Sequence, residues 1–268
     1  MGRIEISGAT AVLPIIGRPV AQVKAPMVFN RFFEERNIDC VTTALELEDA
    51  AADAFIQSIR GMTNALGYIA TVPHKQRSAA ACDELSDRGA FLGAVNLIRR
   101  EPDGRLVGDM TDGLGCVEAM RRHGQEPNGK AAFVIGVGGA GSAIAHALLE
   151  AGVASLNIVD AQTDRAETLR DRLVKAFPKA MIDPKNAEMG TLDIIVNASP
   201  VGMNGDPGMP ADLHGIKPGA LVADVVTNPA DTPWLKSARE KGCICQTGLE
   251  MVAGQFDLMA RHFGFQID

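Results

Sequence analysis

The sequence lacks the features that would place it directly in several broad classes of protein. No apolar run approaches 18 residues, and the opening Met1-Gly-Arg-Ile-Glu5 has neither the apolar stretch nor the small-residue cleavage pattern of a secretory leader. A soluble, cytoplasmic chain with no membrane partner is therefore expected. A basic surplus is also missing: 26 Lys and Arg face 33 Asp and Glu, and the net charge of −7 has the wrong sign for tracking a nucleic-acid backbone. Any anionic ligand has to be held locally. Cysteine is sparse and odd in number, with Cys40, Cys82, Cys116, Cys243 and Cys245 scattered along the chain, which points to reduced thiols rather than a disulfide framework. The Cys243-x-Cys245 pair has no His or second Cys pair at zinc-site spacing, so no metal is expected. Repeats and low-complexity tracts are absent as well. What remains is an ordinary globular composition, 46% hydrophobic and 22% charged, over 268 residues, enough for one large domain or two ordinary ones.

Short apolar runs alternate with longer amphipathic segments throughout, the pattern of an α/β protein. Strands are expected at 12–17, 41–47 and 66–72, with helices at 27–36, 49–60 and 75–87. Residues 94–99 and 105–108, separated by Glu101-Pro-Asp-Gly104, read as a hairpin because Asp-Gly sits between two strand-like runs. A helix starts near Asp112, and the polar turn-forming stretch Gly124-Gln-Glu-Pro-Asn-Gly129 is the best candidate linker. Beyond it, strands are expected at 132–135, 155–159, 192–196, 221–226 and 243–246, with a last helix over 249–262.

The strongest local signal is Gly136-Val-Gly138-Gly139-Ala140-Gly141, which follows an apolar run and precedes a helix-forming segment. Glycine allows the backbone to turn tightly and to approach a pyrophosphate, whose charge then rests on the N–H groups at the helix start. A tight turn with no ligand remains the alternative. Asp160 ends the next strand, 19 residues after Gly141, where a carboxylate can accept hydrogen bonds from an adenosine ribose. Ala161 and Gln162 follow it, so no arginine stands immediately beside it for a ribose 2′-phosphate, which favours NAD over NADP. Its competing reading is an ordinary helix N-cap. An S-adenosylmethionine-dependent methyltransferase also pairs a Gly-rich loop with an acidic residue, but it has no pyrophosphate to hold and would leave the first 111 residues without a role.

Together the motifs resemble the shikimate dehydrogenase family along nearly the whole chain. Ile16-Gly-Arg-Pro-Val20 with Pro26, Thr71-Val-Pro-His-Lys75, Gly93-Ala-Val-Asn96 and Thr111-Asp-Gly113 are similar to its substrate-domain landmarks. The glycine turn, Asn197-Ala-Ser-Pro-Val-Gly-Met203, Asp224-Val-Val-Thr-Asn-Pro229 and Gly248-Leu-Glu-Met251 through Gln255 are similar to those of its nucleotide half. The resemblance implies an N-terminal α/β substrate domain over 1–111, with 249–268 returning to it, and a Rossmann-like dinucleotide-binding domain with a parallel sheet over 112–248. It also implies hydride transfer between a nicotinamide cofactor and a small-molecule alcohol held in the cleft, with a homodimer as the candidate assembly. Lys75 and Asp112 take the catalytic positions. Alone, they read as a surface lysine in a helix's first turn and an N-cap. Thr71, Asn96 and Gln255 take positions that bind substrate hydroxyls or carboxylate, while Ala198, Ser199, Val225, Gly248 and Met251 line the nicotinamide side.

The departures are informative. The family's His-Ser-x-Ser-Pro motif, whose hydroxyls hold the substrate carboxylate, here reads Gln22-Val23-Lys24-Ala25-Pro26. The Asn expected two residues before Thr71 is Ile69, and the Tyr expected after the Asp-Val-Val run is Thr227. With Val23 and Ala25 in place of both donors, a bound carboxylate would be left partly unpaired, so shikimate and quinate are expected to be poor substrates. The expected substrate is a cyclic or polyol secondary alcohol. The alternatives are a nucleotide-binding pseudoenzyme or redox sensor, a genuine shikimate or quinate dehydrogenase, and a methylenetetrahydrofolate dehydrogenase-like enzyme.

Overall fold

The computed structural model describes residues 5–21, 23–183, 185 and 187–267, and the chain divides into two compact units, 1–111 with 259–268 and 112–258. In the first unit the elements are β1 (Ala11–Val12), β2 (Ile15–Gly17), α1 (Ala25–Arg36), β3 (Cys40–Val41), β4 (Ala44–Glu46), α2 (Asp49–Ile59), β5 (Gly67–Ala70), α3 (Lys75–Ala81), β6 (Glu84–Leu85), α4 (Asp87–Leu92), β7 (Leu97–Arg100) and β8 (Leu106–Asp109). Six of these strands form a mixed sheet in the order β4-β2-β5-β7-β8-β6, while β1 and β3 pair separately. Tyr68, Ile56, Ile59 and Ile98 fill its core. The expected hairpin is present, with β7 antiparallel to β8 and Gly104 at φ 86° in the turn.

Three expectations for this unit need correction. The run 12–17 is two strands because Pro14 between them has no N–H to give a ladder. The run 41–47 is broken at Thr42, whose N–H and carbonyl are both taken by the Asn30 side chain at 2.8 Å. The helix expected over 75–87 stops at Ala81: Asp83 exchanges hydrogen bonds with Leu106, its N–H reaching the Leu106 carbonyl at 2.9 Å and its Oδ2 accepting the Leu106 N–H at 2.7 Å. That exchange draws 84–85 into the sheet beside β8, and Ser86 then caps a new helix through its Oγ.

The second unit contains α5 (Asp112–Arg122), β9 (Ala131–Ile135), α6 (Gly139–Glu150), β10 (Ser155–Val159), α7 (Thr163–Ala176), β11 (Met181–Asp183), β12 (Ile194–Asn197), β13 (Leu221–Asp224), α8 (Pro233–Glu240), β14 (Ile244–Gln246) and α9 (Gly248–His262). Its six strands are all parallel, in the order β11-β10-β9-β12-β13-β14. Near-continuous apolar strands such as Ala131-Ala-Phe-Val-Ile135 suit a sheet covered on both faces. Strand order reverses between β9 and β12, the place where open α/β sheets form a ligand crevice at the carboxyl ends of their strands. Among the described residues no helix is long and apolar enough to cross a membrane.

The stretch 124–129 is an internal turn of this unit, not a linker between units. Helix α5 precedes it and already belongs here, because Gly113 lies so close to α6 that a Cβ would stand 2.0 Å from the Ala143 carbonyl oxygen. The return of the chain to the first unit comes at 259 rather than 249. Residues 248–258 stay with the second unit through contact with α5, where a Cβ on Gly254 would be 2.4 Å from the Gly115 carbonyl oxygen. The tail beyond is held in the first unit by Phe265, packed on the Phe32 and Phe33 rings at 5.9 and 5.1 Å.

Candidate functional site

The glycine turn links β9 to α6, and its glycines divide into two kinds. Gly136, at φ 88°, and Gly141 are buried, and a side chain on either would collide: a Cβ on Gly136 would be 2.8 Å from the Ser199 N, and one on Gly141 would be 1.8 Å from the Gly136 carbonyl oxygen. Gly138 and Gly139 are exposed, with nothing within 4 Å of a Cβ. The first pair lets chain pack on chain. The second leaves the start of α6 open, and its N-cap Gly138 offers no side-chain bond to the first-turn N–H groups. An uncapped N-terminus with an open approach is what a pyrophosphate requires.

Asp160 ties this turn to β10. Its Oδ2 accepts the Val137 N–H at 2.8 Å and its Oδ1 accepts the Gln162 N–H at 2.9 Å. Burial works to raise its pKa, but the two N–H bonds and the nearby Arg165 guanidinium outweigh burial and hold the carboxyl below the usual range. Asp160 is not the helix cap, since α7 begins at Thr163 with Gln162 at its N-cap. Each carboxylate oxygen retains a second lone pair for a ribose hydroxyl. Arg165 lies in the first turn of α7, beyond the two residues that follow Asp160 in the chain.

Across the reversal point, Ala198 and Ser199 follow β12 and meet Gly136 directly. Val225 and Gly248 also come together, a Cβ on Gly248 being 2.5 Å from the Val225 carbonyl oxygen, and Met251 is buried one turn along α9. Beneath these lies a polar network that sequence reasoning missed. Asn197, Asp224 and Thr232 are all buried, and Asp224 accepts bonds from Asn197 Nδ2 (3.0 Å), the Val226 N–H (3.0 Å) and Thr232 Oγ1 (2.8 Å). Asn197 Oδ1 in turn accepts the Ser199 N–H at 3.0 Å and the Ser199 hydroxyl at 2.6 Å. Gln255, a substrate-binding position in the family resemblance, is buried against Gly115 in this same unit.

In the first unit, Thr71 follows β5, and Gly17 leaves room for it: a Cβ there would be 2.3 Å from Thr71 Cγ2. The buried His74 bonds the Thr71 carbonyl through its own N–H at 2.8 Å and donates from Nε2 to the Leu47 carbonyl at 2.9 Å. These contacts fix the start of α3, whose first residue is the half-buried Lys75; its carbonyl accepts the Val95 N–H at 3.1 Å. Asn96 is buried, donating to Thr111 Oγ1 at 3.1 Å and accepting the Thr111 N–H at 2.9 Å. The next residue, Asp112, is largely buried and opens the second unit.

Val23 and Ala25 are half-buried at the start of α1, whose N-cap Lys24 makes no side-chain cap bond; Gln22 lies outside the described residues. Glu46 comes to the same turn, accepting the Val20 N–H at 3.3 Å. Among the described residues, no group of three or more His, Cys, Asp or Glu is placed to hold a metal. Burial raises the pKa of the Cys243 and Cys245 thiols, which disfavours the thiolates a metal or redox role would need.

The chain is similar to known proteins over nearly its whole length. The sequence model of the shikimate dehydrogenase substrate binding domain matches residues 15–98. The shikimate dehydrogenase (NADP(+)) of Rhodospirillum rubrum is 35% identical over 258 residues, covering 93% of this chain and 90% of the relative. Among solved structures, the ligand-free 5-ketofructose reductase of Gluconobacter sp. strain CHM43 superposes with a TM-score of 0.89 at 25% identity, over 97% of this chain and 95% of that one. The shikimate 5-dehydrogenase of Listeria monocytogenes, in complex with shikimate and NAD, gives 0.89 at 28% identity, over 97% and 92%.

Proposed function

This chain belongs to the shikimate dehydrogenase family of nicotinamide-dependent oxidoreductases, and from that premise we propose that it is an NAD-preferring dehydrogenase of a neutral cyclic or polyol secondary alcohol. The observation that carries the substrate half of the proposal is the α1 entry: Val23 and Ala25 supply no donors, and the Glu46 carboxylate bonds the Val20 N–H. Holding a substrate carboxylate there would leave it short of hydrogen-bond donors, which costs orders of magnitude in discrimination. The structural similarity to a 5-ketofructose reductase supports a member of this fold acting on such a compound.

Ionised Asp160 supports the cofactor half, since it can accept from ribose hydroxyls and would repel a 2′-phosphate. The relative from R. rubrum is an NADP(+) enzyme, so the proposal sets this chain apart from it. In this reading the second unit takes the dinucleotide and the first takes the substrate. The open N-terminus of α6 at Gly138 and Gly139 fits a pyrophosphate, and Ala198, Ser199, Val225, Gly248 and Met251 line the nicotinamide side. When bound, the nicotinamide accepts or supplies the hydride. Lys75 removes the proton from the substrate hydroxyl oxygen on oxidation and returns it on reduction, and Asp112 is the second residue assigned to the proton transfer. Thr71 and Asn96 orient the substrate by hydrogen bonds.

The test is a dehydrogenase screen of cyclitols, ketose-related polyols, hydroxylated cyclohexenes, shikimate and quinate with NAD and with NADP. A neutral polyol turned over with NAD, at a kcat/KM well above that for shikimate, is the expected result. Efficient oxidation of shikimate with NADP would reject both halves.

A further inference from the structure

The buried network at the ends of β12 and β13 has no place in the mechanism above, yet it is unusual in its cost. Asp224 is 2% exposed, and its described hydrogen-bond partners, Asn197, the Val226 N–H and Thr232, are all neutral. Burial pushes its carboxyl above the usual range against the pull of those three bonds. A hydrophobic residue would fill this space without a desolvation penalty, so the group has to be accounted for by what it holds.

What it holds is a chain of restraints that ends at the glycine turn. The parallel register places Asn197 opposite Asp224. Asp224 Oδ1 accepts from Asn197 Nδ2, which fixes the amide orientation, because the same Nδ2 also donates to the Val201 carbonyl at 3.1 Å. Asn197 Oδ1 is thereby aimed at Ser199, bonding its N–H and its hydroxyl. The Ala198–Ser199 peptide so fixed is the one that Gly136 packs upon, close enough that any side chain at position 136 would collide with it. Asp160, on the β10 side of β9, marks the adenosine half of the crevice; Asn197 and Asp224, on the β12 side, belong to the other half.

We propose that Asp224 is a positioning residue for the nicotinamide half of the dinucleotide site, acting through Asn197 to hold the Ala198–Ser199 backbone against Gly136. The inference rests on the dinucleotide reading of this unit, and it adds a residue that touches neither cofactor nor substrate. Thr232 forms a separate branch: its hydroxyl bonds Asp224 Oδ2 and also caps α8 by accepting the Leu235 N–H at 3.3 Å.

The branches allow positioning to be separated from mere stability. The affinities to measure, by calorimetry on the full chain, are those for the preferred dinucleotide and for the matching ADP-ribose, which lacks the nicotinamide. Asp224→Ala should weaken the dinucleotide about tenfold relative to ADP-ribose, the scale of one lost positioning hydrogen bond, with ADP-ribose itself held within about twofold. Asp224→Asn should restore the ratio, since its carbonyl still accepts from Asn197 while its amide faces Thr232 Oγ1. Thr232→Val should lower the thermal midpoint and leave the ratio unchanged. If Asp224→Ala does not accumulate as folded protein, Asn197→Ser carries the same expectation from the other end of the bond. An unchanged ratio in the variant that cuts the link, or an equal shift in Thr232→Val, would overturn the proposal. Failure of the unaltered protein to bind either nucleotide would instead overturn the dinucleotide reading beneath it.

Discussion

Replacing Asp160 by Ser gives the most direct physical test of cofactor choice. In the unaltered protein the carboxylate bonds Val137 and Gln162 and keeps lone pairs for the ribose. Losing one charge-assisted bond to a ribose hydroxyl should cost NAD about 1.5–3 kcal/mol. For NADP the change is a gain, because a 2′-phosphate about 5 Å from the carboxylate is repelled by about 0.8 kcal/mol per unit charge in bulk water and about 3.3 at an effective dielectric of 20. The two effects sum to about 2–6 kcal/mol, so the NADP-to-NAD affinity ratio should rise at least about thirtyfold. Arg165, released from Asp160, reinforces that direction. The serine hydroxyl can replace one of the two backbone bonds, so the expected stability loss is about 1 kcal/mol. Fluorescence titrations with NADH and NADPH measure the ratio without a known substrate, and a thermal melt checks the fold. A ratio that does not move, or an unaltered protein that already prefers NADPH, would refute the assignment of Asp160.

Four further outcomes are expected. Lys75→Ala should lower kcat by about 10²–10⁴-fold, the range for an acid–base group, while NADH affinity stays within about twofold; steady-state rates and titration separate the two. Val23→Ser with Ala25→Ser should raise kcat/KM for shikimate by at least about tenfold, as one or two hydrogen-bond donors return to the α1 entry. Gly138→Ala should fold normally and bind dinucleotide weakly, since its Cβ meets no protein atom, whereas Gly141→Ala should destabilise the fold, since its Cβ would stand 1.8 Å from the Gly136 carbonyl oxygen; urea titration and NADH binding distinguish them.

The fourth concerns pH and His262. Burial lowers its pKa, the Asp109 carboxylate and a bond to the Val107 backbone raise it, and Arg99 and Arg88 lower it, leaving the net shift downward. The folded state therefore binds fewer protons there than the unfolded state. Its contribution is complete above about pH 6.5 and is lost as pH falls toward the depressed folded value, with a slope of at most about 1.4 kcal/mol per pH unit. His262→Gln should flatten the pH dependence of urea stability between about pH 7 and 5.5, and an equal slope in both proteins would exclude His262 as its source.

The sequence by itself determined the alternation of strands and helices, the strand–glycine–helix order around Gly136 and Gly141, and the family, because these depend on local period and on residue types at short spacing. It also exposed the missing hydroxyls at Val23 and Ala25. The break at Pro14 is legible in the chain, since proline has no N–H for a ladder, whereas the break at Thr42 is not, since Thr42 is taken out of its ladder by Asn30 on another element. Only the tertiary structure separated the packing glycines from the open ones, since Gly136 and Gly138 differ in what lies across the sheet and not in their neighbours along the chain. It alone joined Asn197 to Asp224, 27 residues apart, because parallel register puts them side by side. It likewise brought Glu46 to the Val20 N–H. Local pattern fixes which segments form and which face each buries; which polar group meets which depends on register and packing between segments distant in sequence.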